Sequence, residues 1–473
     1  MAFWNRRRSI EATSATHETG GLKRTLSWPH LLLLGIGAIV GTGIYTLTGV
    51  GVAKAGPGIV VAFALVGVIC ACVALAYAEL ATLMPAAGGA YTYSYAVLGE
   101  ALAWIIGWSL ILEYSLVVSA VAVGWSAYAV GFLQSMGISL PHDLIAGPHA
   151  EGVINLPAVG IIGVVTGLLL LGTRESALVN AVLVVIKCLA LAVFVAVVLP
   201  AFDPGNFEPL MPFGFNKHTV GDTEVGVMAG AAIVFFAFYG FDAVATAAEE
   251  TKNPSRDLTI GILGSMLICT VLYMLVAAAA VGSMPFGAFA SSEEPLALIL
   301  RLLEQPLAAQ IVAAAVIVGV PTVILAFFYG QTRIFFVMAR DGLLPRSLGA
   351  VSSRGVPWVV TLFTAVVVAV LAGLLPLDEI AALANAGTLA AFTAVCASLL
   401  VLRVRDAGRT RVFRAPLAWV IGPVGIAGCL YLLASLPSLT QFWFLIWNVV
   451  GLVIYLAWSS RHSRLAKGEE TAA

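Results

Sequence analysis

Long apolar runs alternate with short polar stretches along almost the whole chain. Runs of bilayer-spanning length fall near 30–54, 58–83, 101–134, 155–172, 175–200, 225–248, 258–282, 306–336, 357–375, 380–402, 417–437 and 441–459. A hydrocarbon core about 30 Å thick needs about 20 apolar residues in a helix. The runs are continuous, whereas barrel strands are short and alternate polar with apolar. The pattern therefore predicts an all-α integral membrane protein with twelve transmembrane helices. The division between the fourth and fifth runs rests on the polar break Thr173-Arg174-Glu175.

Composition narrows the class. Of 473 residues, 60% are hydrophobic and 10% charged, where a soluble domain carries about 25% charged residues. No water-soluble globule can hide that much apolar surface, so a soluble enzyme, a disordered chain and a nucleic-acid binder are excluded. The net charge of −1 offers no field to polyanions. The lipid bilayer is the expected partner, and nucleic acid is not one. The six cysteines all lie inside apolar runs without a C-x-x-C pair and read as small buried hydrophobes. Arg6, Arg7 and Arg8 precede a polar stretch and not an apolar signal core, so no cleavable signal is expected.

The cations then orient the spans. With alternating spans, the side of the N-terminus receives twenty Lys and Arg residues and the other side receives Lys54, Lys217 and Arg301, while Lys187 lies within a span. That bias predicts a multi-pass protein of the cytoplasmic (inner) membrane with both termini in the cytoplasm. The loop after the second span contributes no cation.

Two spans are internally unusual. The first contains Gly35, Gly37, Gly41 and Gly43 within nine residues, and each mid-helix glycine costs about 1 kcal/mol relative to alanine. Close helix packing accounts for Gly35 and Gly37, since Gly37-x-x-x-Gly41 is a small-x-x-x-small pair. It accounts less well for Gly41-Thr42-Gly43, where a break is expected. A dinucleotide fingerprint fails, because no strand precedes the glycines. The sixth run places Gly240 and Asp242 among aromatics in Phe235-Phe236-Ala237-Phe238-Tyr239-Gly240-Phe241-Asp242. An aspartate at that depth costs about 3 kcal/mol and needs a partner or a function. Capping of a half-helix would satisfy it, and a cap itself implies a break. Matching breaks five spans apart are the signature of an inverted-repeat transporter. A broken helix exposes N–H groups at one end and C=O groups at the other, which together suit the carboxylate and ammonium of an α-amino acid.

The residues at these breaks carry a family resemblance. Gly41-Thr42-Gly43-Ile44 resembles the carboxylate-binding G-[ST]-G-I motif of the amino acid–polyamine–organocation superfamily. Met84-Pro85-Ala-Ala-Gly88-Gly89-Ala-Tyr91-Thr-Tyr93 resembles the family's loop after span two. Phe238-Tyr239-Gly240-Phe241-Asp242 with Ala248-Glu249-Glu250-Thr251-Lys252-Asn253-Pro254-Ser255-Arg256 resembles its cationic amino acid transporter branch. A proline typical of that branch after the span-six motif is replaced by Thr259. The resemblance covers nearly the whole chain. It implies a five-plus-five inverted repeat over 29–402 (first repeat 29–200, second 225–402), two further helices over 417–460, and polar tails at 1–28 and 461–473. It also implies alternating access and a bacterial amino acid permease.

Carried over by position, the substrate carboxylate would meet the N–H groups of Thr42, Gly43 and Ile44 beyond the break at Gly41. The ammonium would meet the carbonyls of Ile39, Phe236, Ala237 and Tyr239, and Phe241 would gate the ligand. Lys187, deep in span five, either snorkels to an interface or sends a titrating ammonium to the break in span one. Relatives without sodium coupling resemble the second case, so a proton is the expected coupling ion, with no other cofactor. Glu113 in span three and Asp242 are further proton-coupling candidates, or could receive a cationic side chain. Glu79 in span two reads as structural. No metal site and no catalytic residue is expected, and no H-E-x-x-H or G-x-S-x-G occurs, which argues against an intramembrane enzyme. The absence of charge rings argues against a channel. The expected activity is proton-coupled uptake of neutral or cationic L-amino acids, with a monomer sufficient. Proton-independent exchange and polyamine transport are the alternatives.

Overall fold

The computed structural model describes residues 6–10, 26–86, 88–172, 177–221, 223–290, 292–349, 352 and 357–468. Each predicted apolar run is helical. Span one is Trp28–Ile39, then Thr42–Tyr45 and Leu47–Ala55; spans two to five are Ile59–Leu83, Glu100–Ser135, Leu156–Leu170 and Ala177–Val198. Span six is Val227–Val234 and then Phe241–Thr246, and span seven is Pro254–Ser283. Span eight is Pro306–Gly319 and Pro321–Arg340, interrupted by a proline the apolar pattern had not singled out. Pro321 has no N–H to donate and so starts a fresh segment. Spans nine to twelve are Trp358–Leu374, Leu377–Arg405, Ala418–Ser435 and Ser438–Ile454, the last running on into Tyr455–Ser459 and Ser460–His462. The break at Thr173-Arg174-Glu175 lies outside the described residues.

The packing repeats about a pseudo-two-fold axis. Span two packs on span seven at its centre, span five packs on span eight as span ten packs on span three, and the first half of span one meets span five as span six meets span ten. Spans eleven and twelve lie outside this repeat, against spans two, three and ten. Trp108 and Trp447 stack at 4.6 Å there, each indole N–H donating to the other's carbonyl. Faces without a protein neighbour carry large apolar side chains, such as Leu178, Val185 and Leu189 on span five and Leu445 and Val449 on span twelve. Only hydrocarbon suits such faces, and helices alone keep their backbone paired within it.

One end of the bundle collects both tails. Arg6 pairs with Glu100 at 3.5 Å and donates to the Ser460 carbonyl at 2.7 Å. Arg8 pairs with Asp341 at 3.7 Å. Buried Glu79 is gripped there by Arg403 (2.6 Å), Arg411 (2.8 Å) and the Ala415 N–H (2.7 Å), which ties the loop after span ten to span two. Leu26 bridges Thr251, joining the starts of spans one and seven. The opposite, far end carries the hairpin His218–Val220 with Thr223–Val225 and the short helix Pro295–Leu302.

Candidate functional site

Both predicted breaks exist, and they face one another. In span one the Val40 N–H still donates to the Ile36 carbonyl (2.8 Å), after which Val40 and Gly41 are extended. The second half then opens with the N–H groups of Thr42 and Gly43, which have no backbone acceptor among the described residues. Ile44 differs from expectation: its N–H donates to the Gly41 carbonyl at 3.2 Å, because a tight first turn uses the third donor internally.

Span six breaks through a 3₁₀ turn at Phe235–Ala237 followed by Gly240 at φ +119°. The side-chain amide of Asn385 donates to the carbonyls of Ala232 (2.7 Å) and Ile233 (3.2 Å). No backbone donor reaches the carbonyls of Phe236, Ala237 or Tyr239 among the described residues. Asp242 caps its own half-helix, its carboxylate accepting the Gly240 N–H at 2.9 Å. In span one, the Ile39 carbonyl already accepts the Tyr273 hydroxyl at 2.7 Å, though a carbonyl has a second lone pair to offer.

Two glycines let the breaks touch backbone to backbone. A Cβ on Gly43 would collide with the Ala237 backbone. A Cβ on Gly240 would stand 2.8 Å from the Ala38 carbonyl carbon, and its left-handed φ is itself unsuited to a side chain. Gly35 and Gly37 lack side chains for close packing, against Ser265 of span seven and Val184 of span five.

A narrow cavity sits at the meeting point. Gly41, Thr42, Gly43 and Ile39 bound it on the span-one side, and Phe236 and Tyr239 on the span-six side. Val117, Val121, Val323 and Phe327 complete the wall, and none of the lining side chains carries a charge at neutral pH. A second narrow cavity lies toward the tail end and is lined by Asp242 and Arg333. Tyr114, Phe327 and Tyr239 lie between the two, with ring centroids 5.4 Å and 6.3 Å apart.

The other expected residues scatter around this centre. Lys187 does not snorkel. It is fully buried, and its ammonium donates to the Gly37 carbonyl at 2.7 Å and lies 3.5 Å from the Thr322 hydroxyl. It thus reaches span one a turn before the break, not at Gly41–Gly43. Its own carbonyl accepts the Tyr45 hydroxyl at 2.7 Å. Glu113 is buried against Gly387 of span ten and lines neither cavity. Phe241 lines neither cavity and packs edge-on against Tyr77 (5.8 Å) and on Phe392 (5.2 Å). Sequence reading missed Asn385, Thr322 and Tyr273. A polar side chain in the middle of an apolar run, as at Asn385, was the available signal.

Paired half-helix ends at mid-bundle, inside an inverted repeat with two appended helices, define a secondary transporter and not an enzyme. The chain belongs to the amino acid permease family, whose model matches residues 26–456, within the amino acid–polyamine–organocation superfamily. It is 46% identical to the branched-chain amino acid permease BcaP of Bacillus subtilis (strain 168), over 97% of this chain and 98% of that one. It is 40% identical to the methylthioribose transporter of the same organism, over 99% of this chain and all of the other. The vacuolar cationic amino acid transporter 2 of Arabidopsis thaliana is 37% identical over 84% of this chain and 62% of its own length.

Proposed function

We propose that the protein is a proton-coupled importer of apolar L-amino acids, acting in the cytoplasmic membrane with both tails in the cytoplasm. The observation that carries this reading is the pairing of donors and acceptors across one apolar cavity. Among the described residues the Thr42 and Gly43 N–H groups have no backbone acceptor, and the Phe236 and Tyr239 carbonyls have no backbone donor. A zwitterion supplies both missing partners. The side chain would then lie among Val117, Val121, Val323 and Phe327, which suits leucine, isoleucine or valine better than arginine or lysine. Neither Glu113 nor Asp242 lines this cavity, so the support for a cationic side chain weakens. The likeness to a branched-chain permease points the same way.

Lys187 supports proton coupling. A buried ammonium holding a span-one carbonyl is costly to charge and would release that carbonyl on losing its proton. The excess of Lys and Arg on one side supports the orientation. The test is uptake of the twenty radiolabelled amino acids into proteoliposomes, with and without an imposed pH gradient. Accumulation of branched-chain substrates driven by an inward gradient is expected. Counterflow without gradient-driven accumulation would instead establish an exchanger, and no uptake of any amino acid would overturn the reading. The methylthioribose relative supplies a second reading, a neutral thioether sugar in the same apolar walls. Competition of methylthioribose with leucine separates the two.

A further inference from the structure

We infer that the tail-end cavity is a second, transit site for the zwitterion, taking the ammonium at Asp242 and the carboxylate at Arg333. The inference rests on the amino acid reading above and adds a stop on the exit path. The cavity is polarised from wall to wall. Asp242, 6% exposed, stands on the span-six side. It accepts N–H groups of its own turn and the Tyr114 hydroxyl, and the parting of the ring layer that contains Tyr114 would hand that acceptor position to an ammonium. On the span-eight side, Arg333 lies over the Tyr329 ring at 4.2 Å and pairs with Glu250 at 3.3 Å. That guanidinium already holds one carboxylate, so exchange for the substrate's carboxylate substitutes like for like.

The backbone adds to the same polarity. Gly89 and Ala90, which line the chamber, open the nine-residue helix Gly89–Val97, whose N-terminal end favours an anion. Space is kept by glycines: a Cβ on Gly89 would meet only Thr246, at 3.9 Å. The rings of Tyr114, Phe327 and Tyr239 separate this chamber from the central cavity. When they part, a zwitterion leaving the half-helix ends finds both charges matched again, one step nearer the tail side.

The test is the half-saturating concentration of L-leucine measured separately from each side, in right-side-out and inside-out vesicles. Arg333→Gln should raise the tail-side value about tenfold, the loss of one charge-assisted contact, and leave the far-side value within about twofold. Arg333→Lys should recover part of the loss. Glu250→Gln breaks the same ion pair but keeps the cation, so the tail-side value should stay or fall. Leu110→Trp, which fills the chamber without altering a charge, should repeat the one-sided loss and serves if Arg333→Gln does not reach the membrane. Equal effects of Arg333→Gln and Glu250→Gln would make the pair a mere latch and overturn the site, as would equal effects on both sides. A wild-type protein that carries no leucine from either side overturns the amino acid reading and this site with it.

Discussion

The two half-helices that begin at mid-bundle look alike in sequence and differ in electrostatics. The one starting at Phe241 is closed by its own Asp242, whose carboxylate accepts the Gly240 N–H. The one starting at Thr42 has no acidic residue in its first turn, and two of its N–H groups have no backbone acceptor among the described residues. A helix N-terminus attracts an anion by about 0.3–1 kcal/mol at the surface and up to ~2 kcal/mol when partly buried. Span six has therefore built its anion into the chain, and span one has left the place open for a carboxylate that arrives and departs. Of the two breaks, the one in span one is therefore the one suited to receive a substrate carboxylate.

The largest effects should come from forcing the breaks apart. Gly43→Val and Gly240→Val each drive a side chain into the facing backbone, Ala237 in one case and Ala38 in the other. Loss of proximity on the ångström scale costs on the order of 100-fold in a positioned site. Leucine uptake should fall by about that factor in either variant, with the protein still monodisperse by size exclusion. Near-normal uptake by Gly43→Val would show that the touching backbones do not form the site. Gly240→Val should in addition be less stable than Gly43→Val in a thermal unfolding assay, since only Gly240 has a left-handed φ.

Lys187 comes next. Lys187→Met keeps the stem buried and removes the ammonium from the Gly37 carbonyl. Gradient-driven accumulation should drop about tenfold, the cost of a lost charge-assisted hydrogen bond, while exchange at equal pH survives better. Uptake should also lose its dependence on pH. An unchanged pH profile would remove Lys187 from proton coupling and leave the buried carboxylates of Glu113 and Asp242 as the remaining candidates.

Much of this was legible in the chain because hydrocarbon imposes strict rules. Apolar run length fixes a span, and glycines or an aspartate inside a run cannot be neutral, so spans one and six identified themselves. What escaped reading was set by three-dimensional pairing. Nothing local to Phe241 says that it packs on Tyr77 and Phe392 while Tyr114, Tyr239 and Phe327 separate the cavities. Equally, the use of the Ile44 N–H inside its own turn depends on how tightly that turn winds. Asn385 illustrates the middle case: its polarity in an apolar run was visible, yet its role as a cap for Ala232 and Ile233 on another span was not.

Substrate choice should respond more gently. Phe327 is shared by the cavity wall and the ring layer beneath it. Phe327→Ala enlarges the first and thins the second. Discrimination by an apolar pocket is worth about 1–3 kcal/mol per methylene-scale change. The ratio of phenylalanine to leucine uptake should therefore rise about tenfold, read by competition against radiolabelled leucine. A ratio that stays put would place the substrate side chain elsewhere.

Thr42→Val should have the smallest effect, and it bears most directly on the asymmetry between the breaks. The Thr42 hydroxyl donates to the Val121 carbonyl at 3.3 Å, so the side chain braces span one against span three, while the residue also lines the cavity. Valine keeps the shape and the N–H and removes only the hydroxyl. If the carboxylate is held by backbone donors, leucine affinity should change by less than about threefold, the loss of one neutral hydrogen bond at the weak end of its range. If the hydroxyl itself holds the carboxylate, the loss should reach about tenfold or more. The capped and uncapped half-helices would then differ by a side chain and not by their backbones. A binding isotherm on the purified variant decides between these outcomes, because it reads affinity without the contribution of the transport step.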